Sequence, residues 1–256
     1  RGTTRSRRHC QRAGDGAHRV VRAVGRPPLE RGLERFAERN PPQFHSHDRY
    51  GRRSNLVEYH PAYHELMRAA IEAGLPSLPW TEARAGAHVA RAALEYMHNQ
   101  ADSGSGCPLT MTFAAIPALR AQPDVGEDWI RRATARVYDG SNRPWHEKAG
   151  ITLGMAMTEK QGGTDVRANT TRARPLAGGG PGALYALTGH KWFCSAPMCD
   201  GFLVLGQAPG GLSCPVPFSR EWKATVRTRT IRPAEGTGRP YRAGRRRRHD
   251  DRMPRF

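Results

Sequence analysis

The sequence has no run of about 18 consecutive apolar residues, and this excludes a membrane-spanning helix. It also lacks the apolar stretch near the N-terminus that a secretory signal needs, so a cytoplasmic location is expected. The cysteines (Cys10, Cys107, Cys194, Cys199 and Cys214) form no CxxC pair and no repeating spacing, which points to reduced thiols. Apolar residues are scarce. They make up 38% of the 256 residues, beside 28 Gly and 20 Pro, and the mean hydropathy is −0.70. Such a length holds one large domain or two ordinary ones, but a fully packed chain is more apolar than this. Part of the sequence is therefore not ordinary folded protein.

Charge locates that part. Residues 1–28 carry eight Arg against Asp15 alone, and residues 215–256 carry twelve Arg and Lys223 against four acids. Residues 29–214 hold 20 basic and 18 acidic side chains, so the net charge of +18 belongs almost wholly to the ends. Two readings of these ends stay open. They are Arg-rich nucleic-acid-binding tails making salt-dependent phosphate contacts, or the product of a GC-rich gene read out of frame. Both readings expect the ends to be disordered or poorly packed.

Between them the chain changes character once. Leu29, Leu33 and Phe36 share a helical face that Pro41-Pro42 ends, and a polar loop with a turn at Tyr50-Gly51 follows. Pro61 opens a second helix with Tyr63, Leu66, Met67, Ala70 and Ile71 at helical spacing, closed by Gly74. A third helix is expected from Thr81, with Ala85, Val89, Ala92, Ala93 and Tyr96 as its apolar stripe. Pro108 begins a nearly all-apolar buried helix, and a further one covers about 126–138. From Gly150 onward short alternating runs are punctuated by glycine, as strands are. The expected fold class is α+β: an α-helical bundle over 29–149, a partial β-barrel or sandwich over 150–214, and basic segments 1–28 and 215–256 outside both.

Two segments carry chemistry, MAMTEKQGGT (Met155–Thr164) and GHKWFCS (Gly189–Ser195). Taken singly, Gly162-Gly163 reads as a hairpin turn, Thr158 and Ser195 as strand-surface hydroxyls, and Trp192 and Phe193 as core aromatics. In this order and spacing they resemble the flavin-binding middle domain of the acyl-CoA dehydrogenase family. The match is nearest its adaptive-response (AidB-type) branch. HDRYGRR, EYHPAYHELM, CPLTMTFAAIPALR and GLSC extend the resemblance over residues 29–214.

The resemblance implies an FAD-dependent oxidoreductase acting on the CH–CH bond of an acyl-CoA-type molecule. It further implies a homo-oligomer, and DNA as a partner of the full-length branch. By the same resemblance, Met155, Ala156, Met157, Thr158, Glu159, Lys160, Gln161, Gly162, Gly163 and Thr164 cradle the flavin, together with Phe193, Cys194 and Ser195. Thr158, Thr164 and Ser195 also reach the substrate side. No metal is expected: His60 and His64 lie at i, i+4 with His45 and His47 nearby, but no further ligand set completes a site.

The resemblance ends at Cys214. It leaves without counterpart the C-terminal helical bundle that carries the family's glutamate base, so no catalytic residue is assigned and the chain is expected to be inactive. A flavoprotein that completes its site by dimerising is a further reading.

Overall fold

The computed structural model describes residues 30–180, 182–217 and 226–231. Helix α1 (Glu30–Arg39) stops before the proline pair, with Phe36 stacked 6.3 Å from the His60 ring. The expected polar loop is instead a hairpin. Strand β1 (Gln43–His47) pairs antiparallel with β2 (Arg53–Glu58), Phe44 opposite Val57. Asp48 makes the turn, its Oδ1 accepting from the amides of Tyr50 (2.8 Å) and Arg52 (2.9 Å), and Gly51 takes φ 75°. Both strands are short and mostly exposed, so they show no apolar alternation to read.

Helix α2 (Pro61–Glu72) begins on its proline. His60 Nδ1 caps it, accepting from the Ala62 amide at 3.1 Å. Gly74, at φ 83°, ends this helix as expected. The third helix does not start at Thr81. A single turn, α3 (Leu78–Thr81), is separated by left-handed Gly86 from α4 (Ala87–Ala101).

The α4 stripe is also inverted. Val89 and Tyr96 are 74% and 71% exposed, whereas Ala87, Arg91, Leu94 and His98 are buried. Burial of the polar pair is satisfied locally. Arg91 bonds Leu75 O, pairs with Glu95 and lies 3.9 Å over the Phe113 ring, and His98 Nε2 bonds Ser105 Oγ at 2.7 Å.

Helix α5 (Gly106–Arg120) is buried as its composition predicts, with Leu109, Ala115, Ile116 and Leu119 fully enclosed. Helix α6 (Pro123–Ala133) crosses it closely, because a Cβ at Gly126 would stand 2.3 Å from Leu119 O. These two helices carry the first strands of the second half. Strand β3 (Leu153–Ala156) pairs in parallel with β6 (Gly201–Val204). Leu153 and Leu203 complete one apolar cluster with Ala115, Ile116, Leu119 and Trp129. Thr112 fixes the height of β3: its Oγ1 accepts from the Leu153 amide at 2.9 Å and donates to Pro108 O at 2.7 Å.

The remaining strands are β4 (Arg172–Pro175), β5 (Leu184–Thr188), β7 (Gly206–Ala208), β8 (Gly211–Pro217) and β9 (Val226–Ile231). They pair in the order β4, β5, β9, β8, β7, with one parallel pair, Arg172 to Gln207, joining β7 to β4. Strand β9 lies within 215–256, the segment expected to be disordered or poorly packed. Its backbone pairs antiparallel with β5 and β8, and an alternating run such as VRTRTI can pair whatever its charge. The rest of that tail, and residues 1–28, lie outside the described residues. No helix among the described residues is long and apolar enough to cross a membrane.

Candidate functional site

Parallel pairing of β3 with β6 requires a crossover, and both sequence motifs lie in it. The first leaves the C-terminal end of β3. The second returns beside it, the Trp192 amide donating to Thr158 O at 2.9 Å. The chain then runs back along β3 until the Asp200 amide donates to Thr152 O at 2.9 Å and β6 begins. Residues about thirty apart in sequence thus share one edge.

The bond between them is polar and buried. Glu159 is 1% exposed. Its Oε2 accepts from Thr170 N (2.7 Å) and Thr170 Oγ1 (2.8 Å), and its Oε1 from Thr171 N (2.9 Å) and Lys191 Nζ (3.0 Å). Burial by itself raises this carboxyl, but the bonds from Thr171 and Thr170 outweigh it and hold the group well below the usual carboxylate range. Alongside, the Lys160 amide donates to His190 Nε2 at 3.0 Å. A second network joins the turn to its flank: Asn169 Nδ2 donates to Met157 O (2.7 Å) and Gln161 Nε2 to Asn169 Oδ1 (3.1 Å). The Glu159–Gly162 turn closes with a 3.0 Å amide bond and puts Gly162 at φ 123°, and a Cβ on Gly163 would press on Thr158 Oγ1 at 3.0 Å.

The sequence-derived residues therefore divide. Met155, Ala156 and Met157 turn their side chains into apolar clusters, and Glu159 is committed inward, so only backbone is free there to meet a ligand. Cys194 is half-buried against Cys199 and Ala156, and burial raises its thiol pKa. Thr158 is half-buried, while Lys160, Gln161, Gly163, Thr164, Phe193 and Ser195 are exposed. The core reading of the two aromatics does not hold, since Trp192 is 50% and Phe193 78% exposed, with rings 5.9 Å apart edge to face. Phe193 and Ala196 hold φ 57° and 51°, a left-handed backbone that non-glycine residues adopt at a cost and keep only where surroundings enforce it. A flat aromatic face, hydroxyls at Thr158 and Ser195 and a glycine turn suit the ring and polar edge of an isoalloxazine.

Sequence reasoning missed two further residues. Lys148 and Asp200 form an ion pair at 2.6 Å, their side chains 4% and 6% exposed. Lys148 Nζ also donates to Asp139 O (3.2 Å), and Asp200 Oδ2 accepts from the Thr152 amide (3.0 Å). Burial raises the Asp200 carboxyl pKa, against the pull of Lys148. A charged residue just ahead of the Gly201 strand is the one sequence signal of this pair. The histidines have structural roles: His60 caps α2, and His64 Nδ1 bonds Tyr138 Oη at 2.7 Å. Among the described residues no three His, Cys, Asp or Glu side chains converge as metal ligands.

The family model of the adaptive response protein AidB N-terminal domain matches residues 4–140, more than half of the chain. The chain belongs to this family. The match takes in residues 4–28, which the sequence motifs had left outside the resemblance. AidB of Escherichia coli (strain K12), provisionally named an acyl-CoA dehydrogenase, is 48% identical over 184 residues. Those residues are 71% of this chain and 33% of that protein, so the chain spans a third of the relative's length.

Two solved structures share the fold. Bd2924 in its apo-form has TM-score 0.69 at 23% identity, over 87% of this chain and 48% of that one. Caenorhabditis elegans ACDH-11 in complex with C11-CoA has TM-score 0.64 at 21% identity, over 80% and 38%.

Proposed function

We propose that this AidB-family chain forms one wall of an FAD site for acyl-CoA dehydrogenase-like oxidation of an acyl-CoA-type substrate. The reading divides the chain near residue 150, into a helical domain and a middle domain of barrel or sandwich type that carries the flavin face. Exposed Phe193, clamped beside Thr158 in a backbone shape that has a cost, is the observation that carries it. An aromatic ring left in water at such a cost suits a flat partner. Bound FAD supplies the hydride acceptor. Phe193 packs against its ring, the Thr158 and Ser195 hydroxyls meet its polar edges, and Gly162-Gly163 let the backbone approach it. Thr164 faces the acyl side.

Neither Glu159, bonded inward, nor Asp165, bonded to Arg167, is assigned as the α-proton base. With one wall and no assigned base among the described residues, residues 30–217 on this reading hold FAD weakly and do not turn substrate over by themselves. Titrating FAD and following its fluorescence checks this, with weak saturable quenching and no acyl-CoA-dependent bleaching expected. Stoichiometric FAD after purification together with turnover overturns the one-wall reading, and absence of any quenching overturns the flavin reading itself.

DNA is the proposed partner of the longer proteins of the branch. The Arg-rich ends favour a second reading, nucleic-acid binding by this chain. It requires duplex affinity that falls steeply with salt and disappears on deleting 215–256.

A further inference from the structure

Residues 192–199 hang between two buried ion pairs. Lys191–Glu159 stands immediately before the segment and Lys148–Asp200 immediately after it. Each pair is backed by a main-chain bond to the β3 edge, Trp192 N to Thr158 O and Asp200 N to Thr152 O. Between these anchors the backbone bends twice through left-handed residues, Phe193 and Ala196. Short turns from Ser195 N to Phe193 O (3.0 Å) and Cys199 N to Ala196 O (3.0 Å) hold the bends. Cys194, Ala196 and Cys199 pack on the apolar cluster of Ala156, Phe202 and Val204, and most of the rest of the segment faces outward. Trp192, Phe193, Ser195 and Pro197 are exposed, and only Cys199 is fully buried.

A bend of this kind relaxes unless its ends are held. The two ends are not held alike. The Glu159 end is part of the motif turn itself. The Asp200 end is remote from the exposed ring, and its partner Lys148 comes from the loop before β3, bonded also to Asp139 O.

We propose that Lys148 and Asp200 are positioning residues for the flavin face. Their pair fixes the far end of 192–199 and so keeps Phe193 and Ser195 presented on the β3 edge. The inference rests on the flavin reading for its purpose, but not for its geometry. Neither residue touches the face. Each acts through the path of the chain, Asp200 through its bonds to Lys148 and the Thr152 amide.

The test uses the full chain with Asp200→Asn and with the double variant Lys148→Met/Asp200→Leu. The double variant removes both charges, so that a lone buried ammonium does not unfold the protein. Amide hydrogen exchange is measured at 193–199 and in α5, beside FAD titration by fluorescence. The expected result for the double variant is exchange at 193–199 faster by about tenfold or more, with α5 unchanged, and FAD binding weaker by about tenfold. Asp200→Asn shows the same local loosening if it folds.

Wild-type exchange at 193–199 in the double variant overturns the proposal, as does loosening spread equally over α5. If the wild-type chain shows no FAD binding while the variant loosens 193–199 alone, the flavin reading falls and the positioning role of the pair stands.

Discussion

The core around α5 and the two ends of the crossover between β3 and β6 solve burial differently. Around α5 the enclosed side chains are mostly apolar, Leu109, Ala115, Ile116 and Leu119, with Thr112 the polar exception, and packing accounts for the position of the apolar ones. At the two ends of the crossover the enclosed side chains include Glu159, Asn169, Thr171 and Asp200, with Lys148 of the preceding loop, beside the apolar Ala173, Tyr185, Ala186 and Cys199, while the aromatics Trp192 and Phe193 face water. Apolar packing tolerates small shifts. A buried carboxylate that accepts four bonds fixes its neighbours in direction as well as distance. The polar ends of the crossover thus fix placement in addition to their share of stability.

The sharpest way to break that contrast is to remove one charge from the crossover. Glu159→Gln leaves the Lys191 ammonium buried without its partner and is expected to cost about 3–5 kcal/mol in denaturant unfolding. It is also expected to abolish FAD quenching in the molecules that remain folded.

The same residue sets an acid limit. Its folded carboxyl lies below the ordinary range, so its contribution is fully present above that range and is lost as pH falls towards the folded value. Asp200, held above the ordinary range by burial, has the opposite sign. Its protonation on acidification favours the fold, and its ionisation counts against stability at higher pH. Unfolding curves taken between neutral and acid pH check both signs. Glu159→Gln should flatten the acid loss, and Asp200→Asn should steepen it.

Leu119→Ala probes the other region. Its side chain is fully enclosed between α5, α6 and β3, so truncation is expected to cost about 2–5 kcal/mol, depending on how far the site collapses. FAD affinity per folded molecule should stay at the wild-type value. A large loss of affinity in Leu119→Ala would erase the distinction between a supporting core and a placing crossover. Phe193→Gly has a smaller expected effect: it relieves the left-handed backbone, gains up to about 1 kcal/mol in stability, and weakens FAD binding by removing the ring.

Much of this was legible in the residues, and the exceptions have physical causes. Helices α2 and α5 were readable because Pro61, Gly74 and an unbroken apolar run signal their position locally. The two motifs were readable because glycine turns and hydroxyls keep their spacing. Their bond was not, since nothing within MTEKQGG or GHKWFCS says that Glu159 turns inward to Lys191 across the crossover. The β1–β2 hairpin escaped because its faces are mostly exposed, and β9 because pairing partners on β5 and β8 decide the state of an arginine-rich run. Lys148–Asp200 was invisible because its residues lie far apart in sequence and belong to no motif.

The inverted face of α4 gives the smallest expected effect and the most direct check on pattern reading. Apolar periodicity selected Val89, Ala92, Ala93 and Tyr96, yet the helix buries Arg91 and His98 beside Leu94. It can do so because Phe113, Glu95, Leu75 O and Ser105 receive those polar groups. With Val89 and Tyr96 facing water, Val89→Asp and Tyr96→Ser are expected to shift the unfolding midpoint by less than about 0.5 kcal/mol equivalent, as surface changes do. Arg91→Met, by contrast, leaves the half-buried Glu95 carboxylate without its cation, with only the Thr110 hydroxyl still donating to it, and costs more than either. A loss above about 2 kcal/mol from Val89→Asp, with Arg91→Met neutral, would restore the face that periodicity chose, because only a core position makes a new charge that expensive.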